Sequence, residues 1–178
     1  RSIYKLTHAI QPGLYIKVYH PHTAFQKLRN RLHPHTLHES RMLNQLAQAG
    51  FSVPDIVAHV QSGSQSALIT KAVDPCTPLI ALPRNEQAPV MLEIARRLLK
   101  QRFTHQDLHA GNVLLNRDCT PVLVDAYEVT RHARLTRGDV IRTFAMVVSN
   151  YDVSDEDLKG HLSEKERHDA DLIPAIRQ

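Results

Sequence analysis

Between Thr104 and Asn116 the sequence THQDLHAGNVLLN gathers His105, Asp107, His109 and Asn112 into eight residues, ahead of a short apolar run. A second apolar run, Val122 to Val124, ends at Asp125, and Asn116 to Pro121 between them has the composition of a turn. The pattern predicts a loop, a strand, a hairpin turn, a second strand and a closing carboxylate. Those groups suit phosphoryl transfer, which depends on positioning and charge stabilisation. Asp107 is the candidate base that receives or orients an attacking hydroxyl. The amide oxygen of Asn112 and the carboxylate of Asp125 are hard ligands suited to Mg²⁺. His105 is expected to pack and hydrogen-bond so that the loop stays stiff. His109 is expected either to approach the transferred phosphate or to brace the loop. A competing reading places zinc or iron on His105, Asp107 and His109, which alternate and on a strand would share a face. It lacks a further ligand cluster and leaves Asn112 and Lys17 without a role.

Other elements must position these groups. Residues 1–6 and Leu14 to Tyr19 have strand composition, with a turn at Gln11-Pro12-Gly13, so a hairpin is expected. Lys17 in LYIKVY points to the face opposite Ile16 and Val18. It either meets the α and β phosphates of a nucleotide or faces solvent. Ala24 to Leu32 reads as a short basic helix with Lys27, Arg29 and Arg31, either solvated or facing an acidic substrate or lipid headgroup. Pro34 to Ala49 is a helix with Leu37, Met42, Leu43 and Leu46 mostly on one face and Gly50 at its end. Glu39 in its first turns either reaches Lys17 or complements the helix dipole. Residues 56–60 and 67–71 pair around a Gly/Ser-rich turn.

This makes residues 1–72 a small α+β lobe. Pro75, Pro78, Pro83 and Pro89 mark the best boundary, a hinge over residues 73–88 that could offer backbone groups to an adenine ring. Residues 89–178 form the second lobe. Its expected helices are Pro89 to Gln101 and a core helix over Val140 to Ser149, burying Val140, Ile141, Phe144, Ala145 and Val148 and capped by Asp139. A Ser154/Asp157 capping box opens a further helix. No internal repeat is present.

The chain has 178 residues, 42% of them hydrophobic, which is enough for a sizeable core in one domain or two small lobes. A formal charge of +4 permits an anionic partner, but aromatics at 5% without basic-aromatic interleaving argue against a nucleic acid. Twelve histidines make the charge sensitive to pH near neutrality. Cys76 and Cys119 fit no metal or redox spacing and suit a reducing compartment. There is no membrane-spanning run and no signal-peptide pattern. The sequence opens at Arg1 rather than methionine, which fits a trimmed start.

HQDLHAGN, His105 to Asn112, resembles the H-x-D-L-x-x-x-N catalytic loop of the protein-kinase-like superfamily. Its His109 and Gly111 are closer to the aminoglycoside and choline kinases. Val124-Asp125-Ala126 matches the place of the D-F-G metal motif, with Ala126-Tyr127 departing from Phe-Gly. Lys17 and Glu39 match the strand lysine and its helix partner. The resemblance implies a two-lobed fold, with an N-terminal lobe of antiparallel strands plus one helix and a compact, mainly helical C-terminal lobe. It further implies ATP between the lobes, Asp107 as base, and Asn112 and Asp125 as Mg²⁺ ligands. No G-x-G-x-x-G loop precedes Lys17, so Gly13 and its hairpin would have to cover the phosphates.

The compact size, the run from Glu39 to Pro54 and the basic stretch before Gly138-Asp139 resemble the bacterial lipopolysaccharide core kinases (the InaA and WaaP-like group). Those phosphorylate heptose or Kdo on the cytoplasmic side of the inner membrane. The acceptor implied is a lipid-linked or soluble sugar, with peripheral contact at that membrane. Arg29, Arg31, Arg131, Arg134 and Arg137 could receive it if they share a face. The alternatives are a pseudokinase scaffold that binds nucleotide without turnover, or a kinase of a protein or another small metabolite.

Overall fold

The computed structural model describes residues 2–6 and 13–178, so the expected Gln11-Pro12 part of the first turn lies outside the described residues. In chain order the elements are β1 (Ser2–Leu6), β2 (Leu14–Tyr19), α1 (Ala24–Leu32), α2 (His35–Gln48), β3 (Ile56–Ser62), β4 (Gln65–Lys71), β5 (Cys76–Pro78), α3 (Arg84–Lys100), β6 (Phe103–His105), β7 (Val113–Asn116), β8 (Pro121–Leu123), β9 (Val129–Arg131), α4 (Arg137–Asn150), α5 (Asp155–His161), α6 (Glu164–Arg167) and α7 (Leu172–Ile176). They fall into two compact units. One takes the described residues up to Thr77 together with Leu114–Tyr127, and the other takes Pro78–Val113 and Glu128–Gln178.

The first unit is built on a four-stranded antiparallel sheet in the order β1-β2-β4-β3. Gly63, at φ 58°, opens the two-residue turn between β3 and β4, the place where a hairpin's twist favours glycine. Helix α2 buries Met42, Leu43 and Leu46. It ends in a Schellman arrangement: Gly50 takes φ 85°, Gly50 N donates to Ala47 O at 3.0 Å, and Phe51 N donates to Leu46 O at 3.0 Å. The β7–β8 hairpin turns on Asn116, whose Oδ1 accepts from Asp118 N at 3.0 Å and Thr120 N at 2.8 Å. Leu123 N then donates to Ser52 O at 3.0 Å, tying the hairpin into the first unit.

In the second unit α3 buries Met91, Leu92, Ile94, Ala95, Leu98 and Leu99, and α4 buries Val140, Thr143, Phe144 and Val147. Three expectations need correction. Helix α3 begins at Arg84, not Pro89, so the stretch read as a linker over 73–88 holds β5, a 3-10 turn and the first turn of a helix. Pro89 sits inside α3, where its missing N–H forfeits the bond to the Asn85 carbonyl. Helix α4 is capped by Thr136, with Asp139 three residues on completing a capping box. Its buried face therefore runs through Thr143 and Val147, and Ile141, Ala145 and Val148 are only half-buried.

Candidate active site

Lys17 lies mid-strand in β2, paired with Ile3 on one side and Leu68 on the other. Its Nζ forms an ion pair with Glu39 Oε1, donates to the Val124 carbonyl at 2.9 Å and stands 3.7 Å from Asp125 Oδ1. The Lys17, Glu39 and Asp125 side chains are 15%, 5% and 13% exposed. Three sequence-distant residues from β2, α2 and the segment after β8 thus meet within the first unit. Glu39 shares the buried face of α2 with Met42, Leu43 and Leu46, at i+3, i+4 and i+7. A carboxylate on such a face must find a partner, and Lys17 is one. Asp125 Oδ1 also accepts from Tyr127 N at 3.3 Å, which fixes its rotamer.

Sequence reasoning missed a ring stack beside these groups. His35 lies between Tyr19 (centroids 4.1 Å apart, planes 14°) and Tyr127 (4.4 Å, 21°), and His38 meets Tyr127 edge-on at 5.8 Å. The stack draws on the same three elements as the polar cluster. Tyr19 is two residues beyond Lys17 on β2, His35 one helical turn before Glu39 on α2, and Tyr127 two residues beyond Asp125. These spacings, i+2 on a strand and i−4 on a helix, were the available signal. A cavity of about 210 Å³ between the rings and the Lys17–Glu39 pair is lined also by Val18 and Thr36. Arg29 Nη2 contacts His35 Nε2. Arginine has no acceptor, so that nitrogen carries its lone pair and the ring is neutral. Burial, then the Arg29 charge, then His38, lower the pKa of His35.

Gly13 is buried at the start of β2. A Cβ there would lie 2.9 Å from the Leu6 carbonyl oxygen, so close backbone packing alone demands glycine.

In the second unit β6 ends at His105, which is 1% exposed. Its Nδ1 accepts from Asp107 N at 3.1 Å. The Asp107 side chain is 61% exposed, with His109 Nε2 3.6 Å from its Oδ2. His109 Nδ1 accepts from Gly111 N at 3.0 Å. Asn112 Nδ2 donates to Asp107 O at 2.9 Å and Oδ2 at 3.4 Å. That turns Asn112 Oδ1 away from Asp107. A Cβ on Gly111 would meet His109 Cε1 at 2.8 Å and Nδ1 at 2.9 Å, so the loop needs glycine to seat that ring. Buried Tyr151, whose pKa burial raises, takes a hydrogen bond from the Ala110 backbone and supports the turn from below; sequence reasoning missed it.

Because β6 stops at His105, the alternating His105, Asp107 and His109 share no strand face. Among the described residues no group of three or more His, Cys, Asp or Glu is placed to hold a metal. Arg29 and Arg31 belong to the first unit. In the second, Arg131 lies over Phe103, 5.6 Å from the ring centroid, and Arg137 pairs with Asp169 at 2.6 Å.

No family model and no curated protein matches the sequence. Solved structures do match. A crystal structure of an aminoglycoside-3′-phosphotransferase of type VIII aligns with TM-score 0.65 and 18% identity, over 98% of this chain and 88% of that one. The fold is protein-kinase-like. A structure of WbdD with the kinase inhibitor LY294002 aligns with TM-score 0.60 and 22% identity, over 92% of this chain. Another, of the bifunctional kinase-methyltransferase WbdD, gives TM-score 0.57 and 15% identity. The chain spans 40% and 44% of those two WbdD chains. Within this fold, the first unit is the sheet lobe, which carries Lys17 and Glu39, and the second is the mainly helical lobe, which carries Asp107 and Asn112. No helix among the described residues is long and apolar enough to cross a membrane.

Proposed function

We propose that this chain is an ATP- and Mg²⁺-dependent phosphotransferase acting on a sugar hydroxyl, with heptose or Kdo of the lipopolysaccharide inner core as acceptor. The observation that carries the reading is Lys17, held between the Glu39 carboxylate and the Val124 carbonyl, 3.7 Å from Asp125. An ammonium held at this place in β2 can turn from Glu39 to meet the α and β phosphates of a nucleotide. The neighbour named as an aminoglycoside-3′-phosphotransferase supports a saccharide-type alcohol as acceptor.

Asp107 accepts the proton of the acceptor hydroxyl as its oxygen attacks the γ-phosphorus. The bond from that phosphorus to its bridging oxygen breaks, and ADP leaves with the electron pair. Exposed Asp107, anchored through its backbone by Asn112, is open to such an acceptor. His109 steadies the Asp107 carboxylate, and buried His105 fixes the loop backbone. Asn112 and Asp125 are proposed as the Mg²⁺ ligands, one an amide oxygen and the other a carboxylate, both hard donors. When bound, the ion would neutralise phosphate charge. Gly13, at the start of β2, is proposed to lie against the phosphates. The acceptor, lipid-linked or soluble, would be met on the cytoplasmic side of the inner membrane.

ATP titration with and without Mg²⁺, on wild type and Asp125→Ala, tests this reading. Metal-dependent binding lost in the variant, with phosphate transfer to a core sugar by wild type, is expected. Binding without turnover on any sugar would favour the scaffold reading, which the Ala126-Tyr127 departure also favours. No nucleotide binding by folded wild type would overturn the proposal.

A further inference from the structure

Helix α1 leaves an apolar stripe in water. Phe25, Leu28 and Leu32 are 73%, 57% and 67% exposed. At about 100° per residue they fall within about 60° of one another. The opposite side of the helix is pinned by Asn30, which is fully buried. Asn30 Nδ2 donates to Ser64 O at 2.6 Å and Ser66 Oγ at 3.2 Å, and Oδ1 accepts from His35 N at 2.9 Å. The stripe therefore points directly away from the sheet. Arg29 flanks it on one side and Arg31 on the other, while Lys27 lies farther round toward Asn30.

The surrounding sequence supplies no acidic side chain to balance this charge. Residues 1–38 contain neither Asp nor Glu, and the first acidic residue of the chain, Glu39, is buried against Lys17. An exposed stripe of large apolar side chains marks a surface that is covered by something. The rim dictates what: an anionic layer over an apolar interior. A second copy docking through the same face would set two cationic helices together with no acid between them, because such a contact is self-complementary.

We propose that α1 is an interfacial helix. It seats Phe25, Leu28 and Leu32 at the acyl boundary of an anionic lipid bilayer, with Arg29 and Arg31 at the headgroups. The proposal stands apart from the phosphotransferase reading, and its test needs no catalysis.

Co-sedimentation with vesicles of phosphatidylcholine containing about one-third phosphatidylglycerol, against pure phosphatidylcholine, is the experiment. The wild-type chain should partition onto the anionic vesicles at least tenfold better. Arg31→Gln should reduce that partitioning by about fivefold, the contribution of one basic residue at an anionic surface. Arg29 is left in place because it also contacts His35. Phe25→Ala with Leu28→Ala and Leu32→Ala should reduce binding to the level seen on neutral vesicles. All these positions are exposed, so the circular dichroism of every variant should match wild type. Equal partitioning of wild type onto both vesicles would overturn the proposal. So would a triple-alanine variant that binds like wild type, or a wild-type dimer that the triple variant converts to monomer.

Discussion

Replacing Lys17 with methionine removes one cation from three oxygens at once: Glu39 Oε1, the Val124 carbonyl at 2.9 Å and Asp125 Oδ1 at 3.7 Å. At such separations each charge pair is worth about 4 kcal/mol before desolvation at an effective dielectric near 20, and desolvation offsets much of that. Deleting one partner of a largely buried pair costs about 3–5 kcal/mol, because the partner charge stays behind. Here two carboxylates lose the cation they share, so Lys17→Met belongs at that level. Glu39→Gln is milder. Lys17 keeps Val124, Asp125 and a neutral amide oxygen, and the loss should be about 1 kcal/mol. For a chain of this size about 2–4 °C of Tm follows each kcal/mol, which predicts a drop of about 10 °C for Lys17→Met and about 3 °C for Glu39→Gln. Chemical denaturation at neutral pH, with the double variant closing a thermodynamic cycle, measures both and their coupling. Two losses both below about 0.5 kcal/mol would show that the ammonium is not held by these oxygens in solution, and the reasoning would fail.

Asp107→Asn should lower the rate of phosphate transfer by about 10²–10⁴-fold while leaving ATP affinity near wild type, since Asn112 anchors the backbone carbonyl at that position; single-turnover kinetics beside a binding titration separate the two. His35 has a folded pKa below its ordinary 6.5, held there by burial, then Arg29, then His38. The unfolded chain therefore takes up the proton first, and the stability contributed by the neutral stacked ring is complete above about pH 6.5 and is lost as pH falls through the folded value. Denaturation midpoints at pH 7.5 and 5 should differ more for wild type than for His35→Phe, and identical pH dependence in the two would refute the stack's role. Gly111→Ala forces the His109 ring to move and should cost about 1–3 kcal/mol, read as a lowered Tm together with a fall in kcat.

How much of this was legible in the sequence depended on the range of the determining contacts. The order of loop, β7, turn, β8 and Asp125 follows from short-range signals, as do the β3–β4 hairpin and the cap at Gly50. The Lys17–Glu39 pair was also legible as an option, and the stronger clue lay in α2 itself: Glu39 sits where a leucine would be expected, in line with Met42, Leu43 and Leu46. The first-turn signal of α3 belongs to Pro83, which stands just before the helix, and Pro89 lies inside it. Strands β6 and β9 have three residues each, too few for a period to register, and exist only through their pairing with each other. The placement of Leu114–Tyr127 with the first unit depends on Ser52 reaching Leu123, a contact across about 70 residues that no local pattern encodes.

The ring stack and the ion pair answer the same mechanical need in different ways. An ion pair holds Lys17 against Glu39 only while its surroundings stay poor in competing charge. Any anionic phosphate that draws on the Lys17 ammonium also weakens its hold on α2. The Tyr19–His35–Tyr127 stack carries no net charge while His35 is neutral, so the arrival of an anion leaves its attraction nearly unchanged. The elements bearing Lys17, Glu39 and Asp125 would then stay in register if an anionic ligand drew Lys17 away from Glu39. That accounts for a tyrosine at position 127, where the resembling kinase motif would have placed glycine. With a glycine there one face of His35 would be bare, and the register of α2 would rest on the very ion pair that an anionic ligand would weaken.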